Sequence, residues 1–292
     1  MKSNSLVKGA SLALIFSAAF VFSCKEKEDR LTAQDTVAIS EEATTDTYYQ
    51  DMDDMASVAV DAPSDTQYSG GRSQTTITVN DDRFKCSGIV VTITPDAAST
   101  PNHPKGVITV DFGTGCSDSK GNIRKGKLIF TYDGARFETG SKITTTTDNY
   151  YINNVKLEGT RTVTNVTGST ETAPKFNVIL SNGKATFSDG AIATRESNIT
   201  WSWIRATNPL QDQLIIDQSS TASGTTRLGR SYSVSLLKSL KYLRTCVIAV
   251  EGIKQYVIDG SKTITIDYGN GDCDKSVAVT VNGVTRNLTI SF

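Results

Sequence analysis

Lys105–Cys116 reads KGVITVDFGTGC, and Lys262–Cys273 reads KTITIDYGNGDC. Each stretch alternates Thr or Lys with β-branched aliphatics, the period-two pattern of a half-buried strand. Each then runs into Asp-aromatic-Gly-x-Gly and a cysteine. The likeness extends upstream. Cys86 opens CSGIVVTI and Cys246 opens CVIAV; further back, Gly71-Arg72-Ser73 precedes TTITV and Gly229-Arg230-Ser231 precedes YSVSLL. Gly71 and Cys86 are 15 residues apart, Gly229 and Cys246 are 17 apart. Three landmarks in one order point to an internal duplication.

The same alternation recurs in KLIFTY, KITTTT and AVTVNG, and β-branched residues dominate these runs. Asp133-Gly134, Asn182-Gly183, Asp189-Gly190, Asp259-Gly260, Asn270-Gly271 and Asn282-Gly283 supply candidate tight hairpins, because these pairs accept positive φ. Only Ser235–Thr245 competes: Leu236, Leu240 and Leu243 have helical spacing, so this stretch reads as either helix or strand. The expected fold is all-β. Antiparallel hairpins and meanders form two related halves, residues 71–195 and 196–292, as packed sheets or one extended curved sheet.

The chain has five cysteines. Cys24 is set apart below, and the remaining four allow three pairings or four free thiols. The repeat favours Cys86 with Cys116 and Cys246 with Cys273.

The formal net charge of −1 averages unlike parts. Residues 1–23 carry +2, residues 24–70 carry −9 and residues 71–292 carry +6. The first part has a basic start, an apolar run LALIFSAAFVF and then Ser23-Cys24, the layout of a secretory signal too short to span a bilayer. A small residue directly before cysteine, with Val21 three before it, resembles a bacterial lipobox; that resemblance implies cleavage before Cys24 and a diacylglycerol on its thiol. Residues 24–70 read as an acidic, disordered tether. Within it, Thr45–Ala62 has the spacing of a short helix with Tyr48, Met52, Met55 and Ala56 on one side. Lys25-Glu26-Lys27-Glu28-Asp29 resembles the export signal of Bacteroidota surface lipoproteins, and Asp35-Thr36-Val37 resembles their O-glycosylation site at Thr36.

These features, with DFGTGC…KGNIRKGKLIFTY, TTTDNYYINNVKLEGTRTVTN and IDYGNGDCD, look like a family of lipoproteins widespread in Bacteroidota. The resemblance covers most of the body. It implies ancestry and an outer-membrane location, on the cell surface, and no activity.

The chemistry is sparse. One histidine, His103, excludes a multi-histidine zinc site. No Walker loop, nucleophile elbow or dinucleotide fingerprint is present. The body's +6 lacks a basic run, which argues for anionic envelope neighbours and against nucleic acid. Trp201 and Trp203 share one strand face and fill a core or form a glycan platform. Asp111 and Asp118, and Asp267, Asn270, Asp272 and Asp274, gather oxygens at the two Gly-rich turns, but their spacing is not that of a calcium loop, and no metal or cofactor is expected. The chain therefore reads as a non-catalytic, membrane-anchored structural or interaction module. A glycan-binding accessory protein is the alternative, and a paired-carboxylate glycosidase a more remote one.

Overall fold

The computed structural model describes residues 30–289, apart from 64, 69, 71, 72, 167 and 247. The leader, Cys24 and the Gly71-Arg72 landmark lie outside the described residues. The fold is all-β and antiparallel, with one long helix, and it divides into two compact units. Unit 1 comprises Tyr48–Ser169 and Phe176–Ile192; unit 2 comprises the described residues up to Thr47, then Thr170–Lys175 and Ala193 onward. The boundary near Ile192 falls a few residues before the expected one at 195.

Unit 1 holds β1 (Thr75–Thr76), β2 (Val90–Pro95), β3 (Lys105–Asp111), β4 (Cys116–Ser117), β5 (Ile123–Asp133), β6 (Lys142–Ile152), β7 (Val155–Asn165) and β8 (Lys175–Thr186). They pair as a meander, β1-β2-β3-β5-β6-β7-β8, with β4 on β5. In β3, Gly106, Ile108 and Val110 are buried while the residues between them are half-buried, as the alternation requires. The β6–β7 hairpin turns on Asn153-Asn154, both at positive φ. Gly126 makes a bulge in β5: it sits at φ +79°, and a Cβ there would lie 2.0 Å from the Asn149 carbonyl oxygen.

Unit 2 holds β9 (Ile192–Ile204), β10 (Gln213–Ile216), β11 (Thr221–Thr225), β12 (Ser231–Leu243), β13 (Glu251–Ile258), β14 (Lys262–Asn270), β15 (Ser276–Val281) and β16 (Val284–Thr289). β10 and β11 lie in tandem between β9 and β12, so together they occupy one strand position. From β12 the meander continues to β16. The ambiguous Ser235–Thr245 is therefore mostly strand: Val234, Leu236 and Leu240 point into a core with Tyr256, Ile258, Ile264 and Ile266. Asp259-Gly260 and Asn282-Gly283 form tight turns between paired strands, as expected. Asn182-Gly183 does not form a hairpin. β8 runs straight through it, and the pair produces a register shift against β7, with Asn182 at φ +55°.

The largest correction concerns the expected tether. Ala33–Val60 is a single helix, α1, whose residues up to Thr47 belong to unit 2 and whose remainder belongs to unit 1. A capping box starts it. The Thr32 amide donates to the Asp35 carboxylate at 2.8 Å, and the Asp35 amide donates to the Thr32 hydroxyl at 3.2 Å. Ala38, Glu42, Thr45, Tyr49, Met52, Ala56 and Ala59 are all buried, at alternating spacings of four and three. In unit 2, Ala38 and Ile39 enter the core beside Val234 and Tyr256. In unit 1 the Tyr49 hydroxyl donates to the Glu158 carbonyl at 2.7 Å, and burial of Met52 and Met55 contributes about 1.5–3 kcal/mol each. Acid-rich composition misled the disorder expectation because the acids on the inner face meet cations on the strands.

Candidate functional site

Three groups of side chains carry the chemistry of the described residues: the ion pairs under α1 in each unit, the carboxylate turns, and the tryptophan pair of β9.

In unit 2, Glu42 projects from the middle of its stretch of helix onto β9 and β13. It receives Arg195 Nη1 at 2.6 Å, Lys254 Nζ at 3.2 Å and the Tyr256 hydroxyl at 3.1 Å. The second guanidinium nitrogen of Arg195 reaches Asp46 at 2.8 Å. Burial opposes the charge on Glu42, but Lys254 and Arg195 outweigh it and hold the carboxyl at about 2. At the start of the helix Asp35 is bound by Lys262 and, at 2.9 Å, by Arg230. Burial again opposes the charge, and the bonds from Lys262, Thr32 and Arg230 lower the pKa to about 2.

Unit 1 repeats the device with other residues. Arg124 on β5 is buried and reaches Asp51 at 2.8 Å as well as Asp118. Arg161 on β7 binds Asp53 at 2.7 Å, and Arg83 binds both Asp51 and Asp81. Asp54 behaves differently. Burial is the largest influence on it, Asp53 and Asp51 add to it, and its pKa is pushed up to about 7 despite Arg83 and Arg136 nearby.

The two Gly-rich turns use their leading aspartates alike. Asp111 accepts the Gly113 amide at 2.8 Å, and Asp267 accepts the Gly269 amide at 2.9 Å. Phe112 and Tyr268, the aromatics between, are buried. Asp118 accepts the amides of Lys120 and Asn122, and Asp274 that of Ser276. These carboxylates brace turns. Among the described residues no group of three or more His, Cys, Asp or Glu side chains is placed to hold a metal ion. The two disulfides are Cys86–Cys116 and Cys246–Cys273, each joining the residues before and after a strand pair, at the end away from the turn that connects the two strands. His103 lies with Nδ1 3.0 Å from Glu138 and Nε2 2.9 Å from Asp133, and these bonds raise its pKa.

Trp201 and Trp203 are both half-buried. Their cross-strand partners are Ile216 and Leu214 of β10. Trp203 Nε1 donates to the Asp212 carboxylate at 3.2 Å, and the Arg205 guanidinium lies 4.4 Å from the centre of the Trp203 ring. The Arg205 guanidinium thus lies over one face of the Trp203 indole, and neither indole is fully buried. Comparison with family models, with curated proteins and with solved structures returns no match. The site readings therefore rest on this geometry alone.

Thr36 is in the first turn of α1, with its hydroxyl donating to the Thr32 carbonyl at 3.1 Å. Cys24 lies outside the described residues. The composition had suggested that the body's surplus of bases awaits an anionic neighbour. In the fold Arg83, Arg124, Arg161, Arg195, Arg230, Lys254 and Lys262 all bind acids of the chain's own helix. No local motif pairs these cations with acids about 30 to 230 positions away, so they could not be found from sequence pattern.

Proposed function

We propose that the chain is a lipoprotein anchored through Cys24 to the outer membrane, at the cell surface, with a non-catalytic β-rich structural or interaction module as its folded part. The observation that carries this reading is the use of the buried charges. Asp35, Glu42, Asp118, Arg124, Arg161 and Arg195 pair with one another or with strand and helix partners, and Asp212 binds Trp203 and the Ala206 amide. Charges committed in this way hold a scaffold together; catalysis needs charged groups poised toward a cleft. The body arose by duplication of one unit. The common order Cys-strand-strand-Cys and the shared aspartate-to-glycine turns support this. Mass spectrometry of the mature protein tests the anchor: the reading expects a diacylated N-terminal Cys24, and an unmodified cysteine would refute it. Turnover of envelope polysaccharide by the purified protein would refute the non-catalytic part.

A second reading makes the module a glycan-binding accessory. The half-burial of Trp201 and Trp203 beside Leu214 and Ile216 favours it, since fully buried indoles could not stack on a sugar. Glycan-array binding that disappears in Trp201→Ala with an unchanged melting temperature supports this reading; binding unaffected by the substitution removes it.

A further inference from the structure

The start of α1 is fixed at one end of unit 2. Lys262 Nζ donates to the Arg30 carbonyl at 2.9 Å, and Lys262 and Arg230 both bind Asp35. Three hairpin turns meet there. The β11–β12 turn, Thr226–Arg230, is closed by the Thr226 amide on the Arg230 carbonyl at 2.8 Å. Arg230 Nε reaches Asp259, in the β13–β14 turn, at 2.8 Å. The β15–β16 turn joins through the Asn282 amide on the Thr263 carbonyl at 3.3 Å. The tips carry apolar side chains in solvent: Leu228, 59% exposed between Arg227 and Gly229, and Val284, 39% exposed.

Covalent geometry limits how far this end can stand from a lipid on Cys24. Six residues separate Cys24 from Leu31, so the two Cα atoms are at most about 25 Å apart. We infer that this end of unit 2, with Leu228 and Val284 at its tips, lies against the bilayer that holds the anchor, and that its partner is the phospholipid surface. The inference rests on lipidation of Cys24. The expected tether of about 47 residues would have let the body roam; a helix that begins at Ala33 removes that freedom. Charge does not drive the contact. Arg30, Arg227, Arg230 and Lys262 are nearly balanced by Asp35, Glu41 and Asp259. The short linker and the apolar tips do, so the contact resists salt.

Unit 2 supplies its own control. Leu210, also 59% exposed, lies at the opposite end, where the Arg244 amide binds the Asp212 carbonyl and Gln213 faces Leu243. β12, which runs between the two ends, has 13 residues and is about 40 Å long. The test uses the full-length lipidated protein in phosphatidylcholine–phosphatidylglycerol vesicles containing nitroxide-labelled lipid. An environment-sensitive dye is placed on Leu228→Cys, on Ser261→Cys in the neighbouring turn, or on Leu210→Cys. Mass spectrometry of each sample first establishes the Cys24 modification. A lipidated protein whose dye is quenched about threefold more at 228 and 261 than at 210, in low and high salt alike, supports the inference. Equal quenching at all three sites, or quenching strongest at 210, in a lipidated protein overturns it while leaving the anchor intact. An unmodified Cys24 overturns the anchor, and the inference with it.

Discussion

The carboxylate of Glu42 lies 2.6 Å from the guanidinium of Arg195, and neither side chain exposes more than 3% of its surface. The helix residue and the strand residue are 153 positions apart in the chain. Truncating one partner leaves the other charged and buried. Glu42→Ala is therefore expected to cost about 3–5 kcal/mol in urea unfolding. Replacing both, as Glu42→Leu with Arg195→Met, removes the stranded charge and should cost clearly less than Glu42→Ala alone. A single variant as stable as the parent would show that the pair does not hold the helix.

The carboxylates of α1 respond to pH in opposite senses. Glu42 and Asp35 are held at about 2, below their ordinary values of 4.5 and 3.8. Their stabilisation is complete above those ordinary values and is lost as the pH falls toward 2. Asp54 is raised from 3.8 to about 7. Its contribution is complete below about pH 4 and is lost as the pH rises through 7. Chemical denaturation of Asp54→Asn should accordingly show a gain of up to about 4 kcal/mol over the parent at pH 8, shrinking toward zero near pH 4. A difference that does not vary with pH would refute the raised pKa.

Gly126 and Gly121 separate two effects of glycine. Both have positive φ, but a Cβ at Gly126 would lie 2.0 Å from the Asn149 carbonyl oxygen, whereas one at Gly121 meets nothing within 4 Å. Gly121→Ala pays only backbone strain, about 1–2 kcal/mol. Gly126→Ala must also push β6 away from β5, so its melting temperature should fall well below that of Gly121→Ala. Equal melting temperatures would mean that the bulge is not a close contact.

The two disulfides close loops of 30 and 27 residues. Serine at both cysteines of one pair is expected to cost about 3–4 kcal/mol, with similar losses for the two pairs because the loops are alike. Non-reducing peptide mapping checks the connectivity itself, and a Cys86–Cys246 peptide would contradict it.

Much of the strand content could be read from local pattern, and the disulfide pairing from the likeness of Lys105–Cys116 to Lys262–Cys273, because each signal is carried by a short run of residues. β12 was ambiguous because its inward Leu236 and Leu240 are also four apart, so a bulged strand and a helix turn share that spacing. Asn182-Gly183 has hairpin chemistry, yet positive φ serves a bulge equally well. The short helix expected over Thr45–Ala62 begins twelve residues too late; Met52, Met55 and Ala56 lie on the inner face as expected, and Tyr49 stands there in place of Tyr48. The period was present all along in Ala38, Glu42, Thr45, Tyr49, Met52, Ala56 and Ala59. Glu42 and Thr45 interrupt its apolar character, and Arg195 and Lys254, which make burial of Glu42 tolerable, come from distant strands. Trp201 and Trp203 share a face as the period predicts, but their half-burial depends on β10, which no local pattern assigns to that place.

The central claim is that Ala33–Val60, acidic as it is, forms a buried helix and not a tether. Hydrogen exchange of the intact protein at neutral pH, read amide by amide, tests it most directly. Amides from Ala38 to Ala59 should be protected to within about tenfold of those in β5 and β13, and the protection over Ala38–Thr45 should drop in Glu42→Ala. Complete exchange of this segment at the rate of an unstructured chain, with β5 and β13 still protected, would contradict the account.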